Sequence, residues 1–117
     1  MLTQSQGAVY RRLTIGDEAL LASLFAMPDP LSNAIDELTS GLVRVAAVIM
    51  ADPALPAYQR EVRTALDAGA SPAQITAVLL AVARVAGSAA VMSAAPKLAL
   101  ALGYDVEAAL EDPDAGE

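Results

Sequence analysis

The chain predicts an all-α fold, a single-domain bundle of five to six helices joined by short loops. Three observations point there. Apolar residues recur at alternating steps of three and four. Alanine, the best helix former, supplies 27 of the 117 residues. Alternating runs of the strand type are almost absent.

The elements follow in order. Asp17 is placed to cap a short helix ending near Met27, where Pro28-Asp29-Pro30 forces a break. Ser32 then opens a long helix to about Ala51, with Ile35, Leu38, Leu42, Val45 and Ile49 forming one stripe. Asp52-Pro53 and Pro56 bound a short loop. A third helix runs from about Ala57 to Ala68 and stops at Gly69. Ser71-Pro72-Ala73-Gln74 is the clearest local signal, a serine cap with proline at the first helical position and glutamine at the third. The helix it starts turns Ile75, Val78, Leu79, Val82 and Ala86 to one side, and Ala73, Ala77, Ala81 and Arg84 to the other. Gly87-Ser88 breaks it. A last core helix spans about Ala89 to Leu102, kinked or restarted near Pro96, and Asp105–Glu111 adds a further turn or two. The expected division is a helical domain over residues 1–104 and an acidic tail over 105–117.

Composition removes whole classes of chemistry. The chain has no histidine and no cysteine, which excludes a conventional zinc or iron–sulfur site, a redox thiol pair and a Ser-His-Asp relay. No metal and no cofactor is expected. Any acid–base work falls to carboxylates, tyrosine, arginine or lysine. The net charge of −7 argues against nucleic acid. That charge is uneven: residues 1–104 hold seven bases against eight acids, while 105–117 hold six acids and no base. The nearly neutral, alanine-rich body suggests apolar surface buried against other copies of the chain. Met1–Gly7 carries neither a basic nor an apolar signal region, and no run offers ~20 uninterrupted apolar residues. A cytoplasmic protein that does not bind membranes is expected.

A few polar residues fall on or beside apolar faces. Tyr58 and Glu61 flank the inward stripe of the third helix, one turn apart, and can share a pocket. Burial disfavours the charged form of a carboxylate, which would suit Glu61 to proton transfer near neutral pH. The alternative is that Glu61 pairs with Arg44 or Arg84 and closes the core edge. Arg44 and Arg84 sit mid-helix in apolar company. They either face solvent, bridge subunits or anchor a carboxylate-bearing ligand. Glu107 and Glu111 share a face but have no further ligands around them, and there is no glycine-rich phosphate loop.

Several segments, taken in order, resemble the γ-carboxymuconolactone decarboxylases. Tyr10-Arg11-Arg12-Leu13-Thr14-Ile15-Gly16 resembles their "RR-x-VLG" opening, and Ile35 to Val43 resembles "LD-x-x-TR-x-LV". Glu61 to Ile75 is similar to "H-x-R-x-AL-x-x-G-x-T-x-EEI", and Leu79 to Gly87 to "LLH-x-A-x-YAG". The match covers roughly residues 10–102 and is most specific between Glu61 and Gly87. The resemblance implies an alkylhydroperoxidase-D-like helical fold, assembled as a trimer or hexamer with sites near subunit interfaces. Glu61 stands at the family's first histidine and Tyr58 at the cysteine of its peroxidase relatives. Ala81 stands at the second histidine, Val85 at a tyrosine, and Ser40 at the arginine of the "TR" pair. Peroxidase chemistry, which needs thiols, is excluded.

Two functional expectations follow. The first is a cofactor-free lyase, cyclase or isomerase acting on an apolar organic acid, lactone or polyketide-like substrate. Glu61 would move one proton and Tyr58 would donate a hydrogen bond to a developing oxyanion, with Arg44, Arg84, Ala81 and Val85 at the substrate. The second is a non-catalytic oligomeric binding or interaction protein, in which Glu61 is locked in an ion pair.

Overall fold

A computed structural model describes residues 1–26 and 34–111, and among them all regular structure is helical. The chain forms two compact units, Met1–Ile35 and Asp36–Glu117.

The first unit holds α1 (Gln4–Thr14) and α2 (Glu18–Ala26). Helix α1 is one more than the apolar pattern predicts, and none of its residues is buried. Local hydrogen bonding starts it: Gln6 N donates to Thr3 Oγ1 at 3.1 Å, and Thr3 N donates to Gln6 Oε1 at 2.9 Å. This is a capping box, and Thr3-Gln4-Ser5-Gln6 spells it in the sequence. Gly16, at φ 68°, turns the chain into α2. There Asp17 Oδ1 accepts from Leu20 N at 3.0 Å, the expected cap, and Arg12 pairs with the same carboxylate at 3.3 Å.

The second unit holds α3 (Glu37–Ala51), α4 (Leu55–Asp67), α5 (Pro72–Ala86), α6 (Ser88–Ala101) and α7 (Val106–Glu111). The total is seven helices among the described residues, against the five to six expected. Helix α3 starts later than its stripe suggests. Asp36, not Ser32, is the cap, and its Oδ1 accepts from Thr39 N at 2.6 Å. Ile35 therefore lies outside the helix and is exposed. Pro28–Pro30 and Ser32 lie outside the described residues. Helix α4 begins two residues earlier than expected because Pro56 fits its first turn, where no backbone N–H is needed. Helix α5 has the boundaries and the capping box that Ser71 and Gln74 imply. Helix α6 runs on through Pro96. Pro96 has no N–H to donate to the carbonyl of Met92, one turn earlier, and Met92 is an exposed residue.

Helix α3 packs on α4 and α5, α6 packs on the same two, and α7 lies on α6. Between them Val45, Ile49, Tyr58, Val62, Ile75 and Leu98 form the heart of the core. Gly41 sets how closely α3 and α4 meet: a Cβ there would stand 3.1 Å from Ala65 Cα, which is backbone and cannot swing aside. That close approach brings Arg44, one turn further on, over α4. No helix among the described residues is long and apolar enough to cross a membrane.

Candidate functional site

Helix α4 turns Tyr58, Glu61, Val62 and Ala65 inward, so a carboxylate lands at the edge of an apolar core. Glu61 is 6 % exposed. A charge so placed persists only with partners, and two guanidiniums supply them. Arg44 reaches across from α3 and lies side-on to the carboxylate. Its Nη2 donates to Oε1 at 3.0 Å, and its Nε stands 2.8 Å from Oε2. The second contact is close but misaligned, so Oε2 is charge-paired while accepting no hydrogen bond. Arg60, the preceding residue on α4, donates from Nε to Oε1 at 3.3 Å. Both arginines keep their outer atoms in solvent, with side chains 55 % and 70 % exposed. One carboxylate thus gathers two cations, and the cluster carries a surplus positive charge.

Tyr58 is adjacent to Glu61 in the helix but serves a different cluster. Its ring is fully buried and its hydroxyl donates to Asp52 Oδ1 at 2.6 Å. Asp52 ends α3 in the left-handed region at φ 47°, a conformation that aspartate tolerates better than most residues. Two more donors arrive from α6, one turn apart. Ser93 Oγ donates to Oδ2 at 2.5 Å and Lys97 Nζ to Oδ1 at 2.9 Å. Lys97 also stands 5.7 Å from the centre of the Tyr58 ring. The Ser93, Tyr58 and Lys97 donors hold the Asp52 carboxyl well below the usual carboxylate range. Burial, then the adjoining Asp52 carboxylate, pushes the Tyr58 phenol well above its ordinary value of 10.0. The phenol is therefore held protonated and committed as a donor to Asp52.

The remaining sequence candidates lie elsewhere. Ala81, Arg84 and Val85 are all exposed along α5, and Arg84 makes no ion pair among the described residues. Large apolar residues are exposed on α5 and on the helices packed against it. Leu80 and Val85 are 59 % and 83 % exposed, Met92 on α6 is 75 % exposed, and Val43 and Met50 on α3 are also open to solvent. So the structure brings Arg44 to Glu61, assigns Tyr58 to Asp52, and leaves Ala81, Arg84 and Val85 on an open surface.

Sequence reasoning missed Arg60, Asp52, Ser93 and Lys97. For Ser93 and Lys97 the signal is their i, i+4 spacing beside Pro96. For Asp52 it is a carboxylate just ahead of proline at the end of an apolar helix. Among the described residues, no three acidic side chains gather into a group that could hold a metal ion. No family model, curated protein or solved structure matches the chain.

Proposed function

We propose that this chain is a self-associating helical binding protein, built on the decarboxylase-like scaffold that its 61–87 segment resembles. The observation that carries this reading is the commitment of Glu61 to Arg44 and Arg60 at the core edge. A carboxylate that holds two cations is a structural clamp, and it must release them before it can move a proton. Self-association is supported by the exposed Leu80, Val85, Val43 and Met50. Large apolar side chains left open on two packed helices favour burial against another copy. Arg84 would then lie within or beside the subunit interface, and a trimer or hexamer is the assembly the resemblance implies.

Light scattering on the purified chain tests this. The expected result is a trimer or hexamer, with Leu80→Glu/Val85→Glu falling to monomer at unchanged helix content. A wild-type monomer at high micromolar concentration would overturn the self-association.

One observation favours a catalytic second reading: Glu61 Oε2 is buried and accepts no hydrogen bond. Unsatisfied buried polar atoms are rare and collect at functional sites. In that reading a lactone or an apolar acid displaces one arginine and Glu61 takes its proton. Deuterium uptake from heavy water into an unsaturated lactone, lost in Glu61→Gln, would support it. No uptake by the wild-type chain would remove it.

A further inference from the structure

Helix α4 turns a second, outer face toward the end of α6, and between the two lies a groove of about 540 Å³. Small-molecule sites fall in the range of roughly 300–1,000 Å³. Its walls are mixed: Leu66 and Leu100 offer hydrocarbon over the buried Val62, and the polar side chains of Gln59, Arg60, Arg63 and Asp67 make up the larger part. Leu66 and Leu100 remain partly open to solvent, so the apolar lining is only half covered by the chain itself.

The two arginines are available to a ligand for separate reasons. Arg63 has no carboxylate within ion-pair distance among the described residues. Arg60 uses only Nε on Glu61, and its two Nη groups make no hydrogen bond among the described residues. Glu61 is already matched by Arg44, so Arg60 brings an uncompensated charge to the groove. One wall residue is acidic, Asp67. Two guanidiniums against one carboxylate leave one positive charge. A planar fork with spare N–H donors suits a carboxylate.

We propose that this groove binds a small monocarboxylate with an aliphatic or aryl body, its head on Arg60 and Arg63 and its body on Leu66 and Leu100. The site lies on α4 and α6, so it does not depend on the association attributed to the α3 and α5 surface. Failure of one leaves the other standing.

The test is a titration of the isotope-labelled full chain with octanoate, followed by amide chemical shifts. Octan-1-ol serves as the uncharged control. Octanoate is expected to shift residues 59–67 and 100–101 at low millimolar concentration or below, and to bind at least about fivefold tighter than the alcohol. Arg63→Ala, a substitution at an exposed position, is expected to weaken octanoate by about fivefold or more while leaving the alcohol unchanged. Leu100→Ala should weaken both. Equal binding of acid and alcohol would overturn the proposal. So would unchanged octanoate affinity in Arg63→Ala, shifts confined to the exposed face of α3 and α5, or no shifts at all. Light scattering on the same samples separates loss of ligand binding from loss of assembly.

Discussion

Tyr58→Ala is expected to lose about 3–5 kcal/mol of stability, the usual result of truncating a large buried aromatic residue. Among the described residues Tyr58 is the largest fully buried side chain, so its truncation leaves a cavity that the surrounding core fills only in part. Domains of ordinary size are stable by about 5–15 kcal/mol, so the loss is a large fraction of the total. A urea titration reads the effect as a lower midpoint at unchanged slope. A loss below about 1 kcal/mol would contradict the placement of the ring in the core. Tyr58→Phe separates the two contributions. It keeps the ring and removes only the donor to Asp52, at a cost of about 1 kcal/mol.

The same cluster sets a pH dependence, and the signs differ for its two members. Asp52 has a folded pKa below its ordinary value of 3.8. Its contribution is therefore present above about pH 4 and is lost as pH falls through the folded value. Tyr58 has a folded pKa above 10.0. Its contribution is complete below pH 10 and fades as pH rises beyond it. Asp52→Asn should flatten the acid limb of a stability profile and weaken the alkaline limb without abolishing it, because burial, the larger cause of the raised Tyr58 pKa, remains. An acid limb as steep as that of the wild type would show that other carboxylates carry it.

Arg44→Ala is expected to destabilise by about 2–3 kcal/mol, because it strands a buried carboxylate with only Arg60 at longer range. That figure is reduced from the full cost of an unpaired buried charge, since water replaces part of a guanidinium that is half exposed. Glu61→Gln should cost less, about 1 kcal/mol, because both arginines left behind are already in solvent and the amide oxygen still accepts. The order of the two variants is the decisive measurement. If Glu61→Gln proved the more damaging, the carboxylate would be doing something other than balancing Arg44.

Local chemistry explains what could be read from the chain alone. Ser71, Pro72 and Gln74 set the start of α5 because a capping box is satisfied within four residues. The inward set of that helix, from Ile75 to Ala86, follows from its period, as does the outward set of Ala73, Ala77, Ala81 and Arg84. The same chemistry at Thr3 and Gln6 starts α1, a helix that apolar periodicity does not predict. Thr3-x-x-Gln6 is as local a signal as Ser71-x-x-Gln74, but α1 has no buried residue to draw attention to it. The start of α3 shows the opposite error: apolar spacing extends to Ile35, while the cap belongs to Asp36. Periodicity says which residues can share a face. It does not say where the backbone hydrogen bonds begin.

The two charge clusters lie beyond such reasoning. Spacing placed Tyr58 and Glu61 together on one helix edge, and both do lie there. Their side chains nevertheless part company: Glu61 meets Arg44 from 17 positions upstream, while Tyr58 donates to Asp52, which Ser93 and Lys97 hold from 41 and 45 positions further along the chain. The sequence allows Glu61 to pair with Arg44 or with Arg84, and the close meeting of α3 and α4 at Gly41 and Ala65 selects Arg44. By itself, then, the sequence determined the all-helical class, most of the helix boundaries, the inward faces and the absence of thiol and imidazole chemistry. Each of these depends on contacts within a few residues or on composition alone. Tertiary structure decided which charges meet, that the phenol is spent on Asp52, and that two arginines on α4 are left with N–H groups to offer. Those outcomes depend on the distance between helices, and no local pattern encodes it.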